Sequence, residues 1–288
     1  MNALTKRFLA VAASAIAMTS TAFAQGAAPA CEPAKLAQKY PSLVGKTFKI
    51  GVDPQTPPYV MRDAKDFNKL VGFDVDLSRE VLECAGIKFE FFIGGWSGML
   101  PALNAGQIDL FWDDLYYTAE RAKQVNYVTY MQAGTGALTQ VGNPKKIASM
   151  DTLCGTTVAV GVGTVEDPQV RAADEKCKAG GKPAINIMTF PDVAAGTRLI
   201  QSARADTMLY DLGLIDSLVK DQPKLYSRGF SVLSGLAIGV AMSKQNKDLM
   251  NAVYDGMRVM QSTGRQKALF LKYGLDSALQ VSAEIKTQ

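Results

Sequence analysis

Residues 108–121 read IDLFWDDLYYTAER, and this run sets two adjacent carboxylates, Asp113 and Asp114, among Trp112, Tyr116 and Tyr117 before closing on Arg121. Neighbouring like charges make each other costlier to ionise, so such a pair suits either a cation or a retained proton for general-acid chemistry. Arg121 is the opposite tool, a planar fork for a carboxylate. Its setting is odd. Thr118 is a good N-cap and Glu120 suits a first helical turn, but a cation there faces the positive end of the helix dipole, at a cost of about 0.3–1 kcal/mol. The placement makes sense if an anion docks there, between the guanidinium and free helix-start amides.

The same reading finds polar groups at other predicted strand ends: Asp53 after TFKIGV, Gly163-Thr164 after TTVAVGV, and Asp211 after ADTMLY. In open α/β sheets, ligands bind beyond the carboxyl ends of the strands. A glycine such as Gly163 lets the backbone come close to a ligand. Together these residues describe an anion clamp ringed by carboxylates. A zwitterion or a cationic amino acid fits it, with Arg121 on the carboxylate and an aspartate on the ammonium. Tyr59, Trp96 and Trp112 are then available to pack the apolar part or to face a cation. Adjacent residues often point opposite ways, so which of Asp113 and Asp114 enters the cleft stays open.

Composition narrows the chemistry further. The chain has no histidine, which removes Ser-His-Asp and Cys-His catalysis and leaves a zinc site almost without ligands. No metal and no cofactor are expected. An enzyme would have to work through carboxylates, Tyr, Lys or a Ser–Lys pair. Four cysteines, Cys31, Cys84, Cys154 and Cys177, contain no CxxC pair and read as two disulfides in an exported chain. Three connectivities are open; Cys31–Cys84 with Cys154–Cys177 is favoured because each bridge would staple one of two lobes.

The elements that must position these groups alternate between strand-like and helix-like, as an α/β fold does. Strands are expected at 47–53, 88–94 and 108–112, and helices at 72–86, 96–106 and from Thr118. After residue 140 the pattern restarts, with strands at 156–163, 185–190 and 205–211 and helices from Glu166 and at 192–203. The repeat suggests two lobes. Extended crossings are expected near 135–143 and around Gly235 and Gly239, ahead of a strand, a long helix and a shorter one over 237–275.

The address comes from the start of the chain. Lys6 and Arg7 precede an apolar stretch, and Ala22-Phe23-Ala24 is a small-x-small cleavage pattern, so residues 1–24 read as a secretory signal peptide cleaved after Ala24. With 31 Lys and Arg against 27 Asp and Glu, the charge argues against nucleic acid as a partner.

The segments LVGFDVDLSREVLECAGIKFEFF, WSGMLPALNAGQIDLF, TAERAKQVNY, TVAVGVGTVED and GLAIGVAMSKQNKDLMNAVYDGMRVMQSTGRQKALFLKYGL together resemble the bacterial extracellular solute-binding protein family 3, the periplasmic receptors of amino-acid-type ABC transporters. The resemblance runs over roughly 45–275. It implies a type II periplasmic-binding-protein fold whose two lobes, 45–138 with 238–288 and 139–237, are joined by two crossover strands. It also implies a monomeric receptor that closes on its solute by hinge motion, with a membrane permease as partner. Residue by residue, it gives Arg121 the solute carboxylate and Asp211 the ammonium. Gly163, Thr164 and the Val165 amide line the second lobe, and Tyr59 and Trp96 form the aromatic wall. Family members carry small residues where this chain has Asp113-Asp114, and Ser or Thr where it has Tyr116. The departure implies a solute with extra positive charge, such as a basic or amine-bearing amino acid. Some relatives of this fold are dehydratases of cyclic amino-acid precursors, and an enzyme of that kind is the alternative.

Overall fold

The computed structural model describes residues 29–287; the predicted signal peptide lies outside them. A single helical turn, α1 (Leu36–Lys39), opens the described chain and leads to β1 (Thr47–Val52). Then come β2 (Gln55–Thr56), β3 (Val60–Arg62), β4 (Leu70–Val71), α2 (Phe73–Ala85), β5 (Lys88–Ile93), α3 (Trp96–Asn104), β6 (Leu110–Phe111) and α4 (Ala119–Ala122). A long strand, β7 (Val125–Gln140), leads into β8 (Thr157–Gly161), α5 (Glu166–Ala179), β9 (Asn186–Phe190), α6 (Val193–Gln201), β10 (Thr207–Asp211) and α7 (Leu212–Asp221). A second long strand, β11 (Tyr226–Ser243), returns to α8 (Lys247–Ser262), α9 (Arg265–Tyr273) and β12 (Gln280–Lys286).

Among the described residues one sheet of nine strands runs β5-β1-β6-β11-β7-β10-β8-β9, with β12 alongside β7. Its two wings are parallel, β5-β1-β6 at one end and β10-β8-β9 at the other. The centre is the antiparallel pair β7 and β11, of 16 and 18 residues. At about 3.3 Å per residue, each spans roughly 50 Å, enough to belong to both wings. The pairing slips between Arg228 and Ser231, between Leu233 and Ala237, and between Ile238 and Gly239. Gly235 takes a left-handed φ of 71° inside the second slip. The two crossings are thus extended, and their irregularities cluster midway.

Apolar residues gather on either side of that midpoint. One core joins α2, β1, α8 and α9 through Phe73, Ile50, Val253 and Phe270. Two others cover the opposite faces of the β8–β10 wing, one under α6 and α7 with Ile200 and Leu214, the other under α5 with Val170 and Cys177. Helix α2 shows how local sequence sets an element. Phe73, Leu77, Val81 and Leu82 recur at helical spacing and are buried, and Gly86 stops the helix at φ 75°, where an added Cβ would lie 2.6 Å from the Pro33 carbonyl oxygen. Cys31 bonds to Cys84 at the end of α2, and Cys154 bonds to Cys177 in α5.

Two expectations need correction. The helix after Thr118 is one turn of four residues, too short for a dipole that holds a ligand carboxylate, because that field needs aligned peptides over several turns. The strand expected over 108–112 is confined to Leu110–Phe111, since its pairing with β1 and β11 ends where the chain bends into the two aspartates.

Candidate functional site

The carboxyl ends of β1, β6, β8 and β10 converge. From the β6 end, Trp112 turns inward and is fully buried in the core. Asp113 is also fully buried, and both its oxygens are taken by the protein. Oδ2 accepts from the Asp53 amide at 2.6 Å, and Oδ1 accepts from the Thr56 hydroxyl at 2.5 Å. Asp53, at the end of β1, accepts from the Gln55 amide at 3.1 Å and from the Trp96 amide at 2.9 Å, so it secures the first turn of α3. That turn aims the Trp96 indole, whose Nε1 donates to the Asp113 carbonyl oxygen at 2.9 Å.

Asp114 is held differently. Its backbone takes φ 49°, a left-handed conformation that aspartate tolerates better than most residues. Its amide donates to Asp74 Oδ2 at 2.8 Å, and the Tyr130 hydroxyl donates to Asp74 Oδ1 at 2.6 Å. Asp114 lines a narrow cavity of about 20 Å³ together with Trp96, Tyr116, Arg121, Thr164, Val165, Glu166, Tyr210 and Asp211. Its Oδ1 is buried and has no hydrogen-bond partner.

The second wing supplies the facing wall. At the end of β10, Asp211 is buried; Oδ1 accepts from the Leu214 amide at 2.9 Å and so caps α7. Its Oδ2 accepts from the Tyr116 hydroxyl at 2.7 Å, and the same hydroxyl stands 2.6 Å from the Gly134 carbonyl oxygen. A phenol has one proton, so both contacts are satisfied when Asp211 keeps a proton and donates it to Tyr116, which then donates to Gly134. The Tyr59 hydroxyl is buried beside this pair and interacts with the Asp211 carboxyl. It fits because residue 213 is glycine: a Cβ there would sit 2.4 Å from the Tyr59 oxygen. At the start of α5, Glu166 is buried and accepts from the Thr135 hydroxyl at 3.1 Å.

Arg121 is the cation of the cavity wall. Thr118 caps its turn by accepting from the Arg121 amide at 3.2 Å. The guanidinium donates to the Tyr116 carbonyl oxygen at 2.7 Å and reaches across to the Gly163 carbonyl oxygen at 2.8 Å. It also lies 5.5 Å from the centre of the Trp96 ring. Its partners are two neutral carbonyls and a ring, which leaves its charge available to an incoming anion. Gly163 takes φ 80°, a left-handed conformation that glycine adopts freely.

Burial dominates the electrostatics. It pushes the Asp113 and Asp114 carboxyls well above their usual range, and for Asp114 the charge of Asp211 adds most to that. Burial raises Asp74 and Glu166 to about 7, partly offset by the Tyr130 donor for Asp74 and by the donors at the head of α5 for Glu166. It also raises Asp211, against the pull of the Leu214 amide and the Tyr116 hydroxyl. The Arg121 guanidinium is lowered by burial.

The sequence-derived residues therefore divide. Trp96, Asp114, Tyr116, Arg121, Thr164, Val165 and Asp211 share one cavity wall. Asp113, Thr118, Tyr59 and Gly163 stand behind it, and Asp53 lines a smaller neighbouring cavity that shares Trp96, Thr164 and Tyr210 with the first. Sequence reasoning missed Glu166 and Tyr210. Glu166 follows Val165 at the first helical position, where an acid reads as an ordinary dipole partner; its burial is visible only in three dimensions. A larger hollow near the Cys154–Cys177 bridge, lined by Met150, Phe230 and Leu233, shares no residue with this wall and has no comparable convergence of charge.

The profile of the bacterial extracellular solute-binding proteins, family 3, matches residues 48–276. The L-cystine-binding protein TcyJ of Escherichia coli (strain K12) is 29% identical over 229 residues, covering 79% of this chain and 82% of that protein. The histidine-binding periplasmic protein of the same organism is 24% identical over 240 residues, covering 81% and 89%. Among solved structures, an ancestral arginine-binding protein bound to arginine superposes with a TM-score of 0.71 at 27% identity, covering 79% of this chain and 97% of that one. The ancestral amino acid-binding protein AncCDT-1, a precursor of cyclohexadienyl dehydratase, gives 0.70 at 26% identity, covering 83% and 99%.

Proposed function

The chain belongs to the bacterial extracellular solute-binding proteins, family 3, and from that premise we propose that it is the periplasmic receptor of an ABC importer for an amino-acid-like, amine-bearing solute. One observation carries the reading. A guanidinium paired only with carbonyls faces buried carboxylates across a cavity between the two wings of the sheet. A solute carboxylate would take the Arg121 fork, and its ammonium would replace the Tyr116 contact at Asp211. The lobes are 45–138 with 238–288 and 139–237. They hinge where β7 and β11 lose register, and the latch from Arg121 to Gly163 is what ligand contacts would reinforce. The mature protein begins after Ala24, acts as a monomer and delivers its solute to a membrane permease; catalysis is not part of its role.

A thermal-shift panel of amino acids, polyamines and opines tests this. A solute at about 100 times its Kd adds about 2.7 kcal/mol of stability, which moves the Tm of a chain this size by about 5–10 °C. Arg121→Ala removes the shift while circular dichroism stays native. Silence of the whole panel, or full binding by the variant, breaks the reading.

A second reading rests on Asp114, a buried carboxyl that favours its protonated form and lines the cavity. That is how a general acid is held for loss of water from a cyclic amino-acid precursor. Product analysis after incubation with prephenate and arogenate separates the two: turnover that Asp114→Asn abolishes would replace the receptor by a dehydratase.

A further inference from the structure

We propose that the hollow beside the Cys154–Cys177 bridge is a second binding site, separate from the cleft and shaped for an apolar monocarboxylate. Its volume is about 380 Å³, within the range of small-molecule sites, which are mostly apolar and carry a few placed polar groups. The walls fit that description. Phe230, Met150 and the disulfide line it with soft, polarisable surface suited to an alkyl chain or a ring. Val232 and Leu233, consecutive on β11, also line it and are 46% and 53% exposed. Neighbouring apolar side chains left open to water mark a ligand groove or an interaction site.

Charge selects the class of ligand. Lys176 near the end of α5 and Lys182 just beyond it line the hollow, with Asp151 as the one carboxylate. Lys178 on the same helix is paired with Asp174 and Glu175, whereas Lys176 and Lys182 have no ion pair among the described residues. Two ammonium groups against one carboxylate leave a single positive charge, which one anionic head group balances while its hydrocarbon part covers Leu233 and Phe230. The site also borders the hinge. Ser234 lines it, donates to the Ala133 carbonyl oxygen at 3.1 Å and accepts from the Leu236 amide at 3.2 Å. Gly235, with its left-handed φ, comes next. An occupant resting on Leu233 and Ser234 therefore touches the segment where β7 and β11 lose register.

Calorimetric titration of the mature protein with octanoate, against octanamide and octylamine as neutral and cationic probes of equal chain length, tests the inference. Saturable binding of one octanoate per chain is expected, about tenfold tighter than either of the other probes, as two partly exposed charge pairs allow. Hydrogen exchange should slow over residues 229–237 and stay unchanged over 114–121. Leu233→Glu sets a carboxylate against the chain and should weaken octanoate by about tenfold or more. The double variant Lys176→Gln/Lys182→Gln should bring octanoate down to the level of octanamide and leave octanamide unchanged. All three positions are exposed, so the fold is not at stake. Absence of saturable octanoate binding, equal affinity for the three probes, protection over 114–121 in place of 229–237, or full binding by Leu233→Glu overturns the assignment. None of these outcomes bears on the solute taken by the cleft.

Discussion

Asp53 and Asp113 on one side, and Asp114, Glu166 and Asp211 on the other, are carboxylates of similar burial that meet different fates in the structure. The four oxygens of the first pair accept from three amides and a hydroxyl. The second group divides: one Asp114 oxygen has no donor, whereas Asp211 meets the Leu214 amide and the Tyr116 hydroxyl and Glu166 meets the Thr135 hydroxyl. A buried carboxylate alone therefore says little about function; the number of donors reaching it separates a structural residue from one prepared for a ligand.

The largest test of this contrast is to remove each side chain in turn. Asp113→Ala strands the Asp53 amide in the core, while the Thr56 hydroxyl keeps the Asp53 carbonyl oxygen at 2.9 Å as its acceptor, and should cost about 1–3 kcal/mol for the one unpaired group. Asp114→Asn relieves a crowded, donor-poor carboxylate and should leave the ligand-free protein as stable or more so. Urea unfolding of both variants compares them directly; equal losses would end the distinction.

A second test uses pH. Glu166 and Asp74 hold their protons to about 7 in the folded state but ionise near 4 when unfolded. The folded state thus binds more protons between those values, so this contribution to stability is full below about pH 4 and is lost as pH rises through about 7. The ligand-free protein should lose a few kcal/mol across that window, seen as a falling Tm. A cationic solute favours the ionised cluster, so the ligand-induced shift should grow over the same range. A flat profile for both would mean that the carboxylates are not held as described. The smallest effect is that of Thr135→Val, which removes a hydroxyl donor from Glu166. It should raise the Glu166 pKa further and move the midpoint of that profile upward, at a cost of about 1 kcal/mol near neutral pH.

The legible parts of the fold were those with local signals. Helix α2 has a 3.6-residue apolar period and a glycine stop, and β1 has alternation followed by a turn; both lie within a residue or two of expectation. Strand β7 was legible only in fragments. Nearly every residue from Val125 to Thr139 is buried, so no polar face marks its period. Helix α7 went unread because it follows β10 without a break, and its cap, Asp211, already had a reading as a ligand group. Asp211 is in fact one residue with two geometric roles, one oxygen on α7 and the other on the cavity.

Sequence by itself determined the α/β alternation, the two crossings, the strand-end placement of Asp53, Asp114, Thr164 and Asp211, and the oddity of Arg121 beside Thr118. Those follow from periodicity, capping chemistry and the sheet rule, which are local. Only the tertiary structure decided which carboxylates are already satisfied, that Glu166 joins the wall, and that Tyr116 meets Asp211 from the other side of the cleft. Those depend on donors and charges that arrive from strands distant in the chain, and a hydrogen bond made across 95 residues leaves no mark on the spacing of either partner.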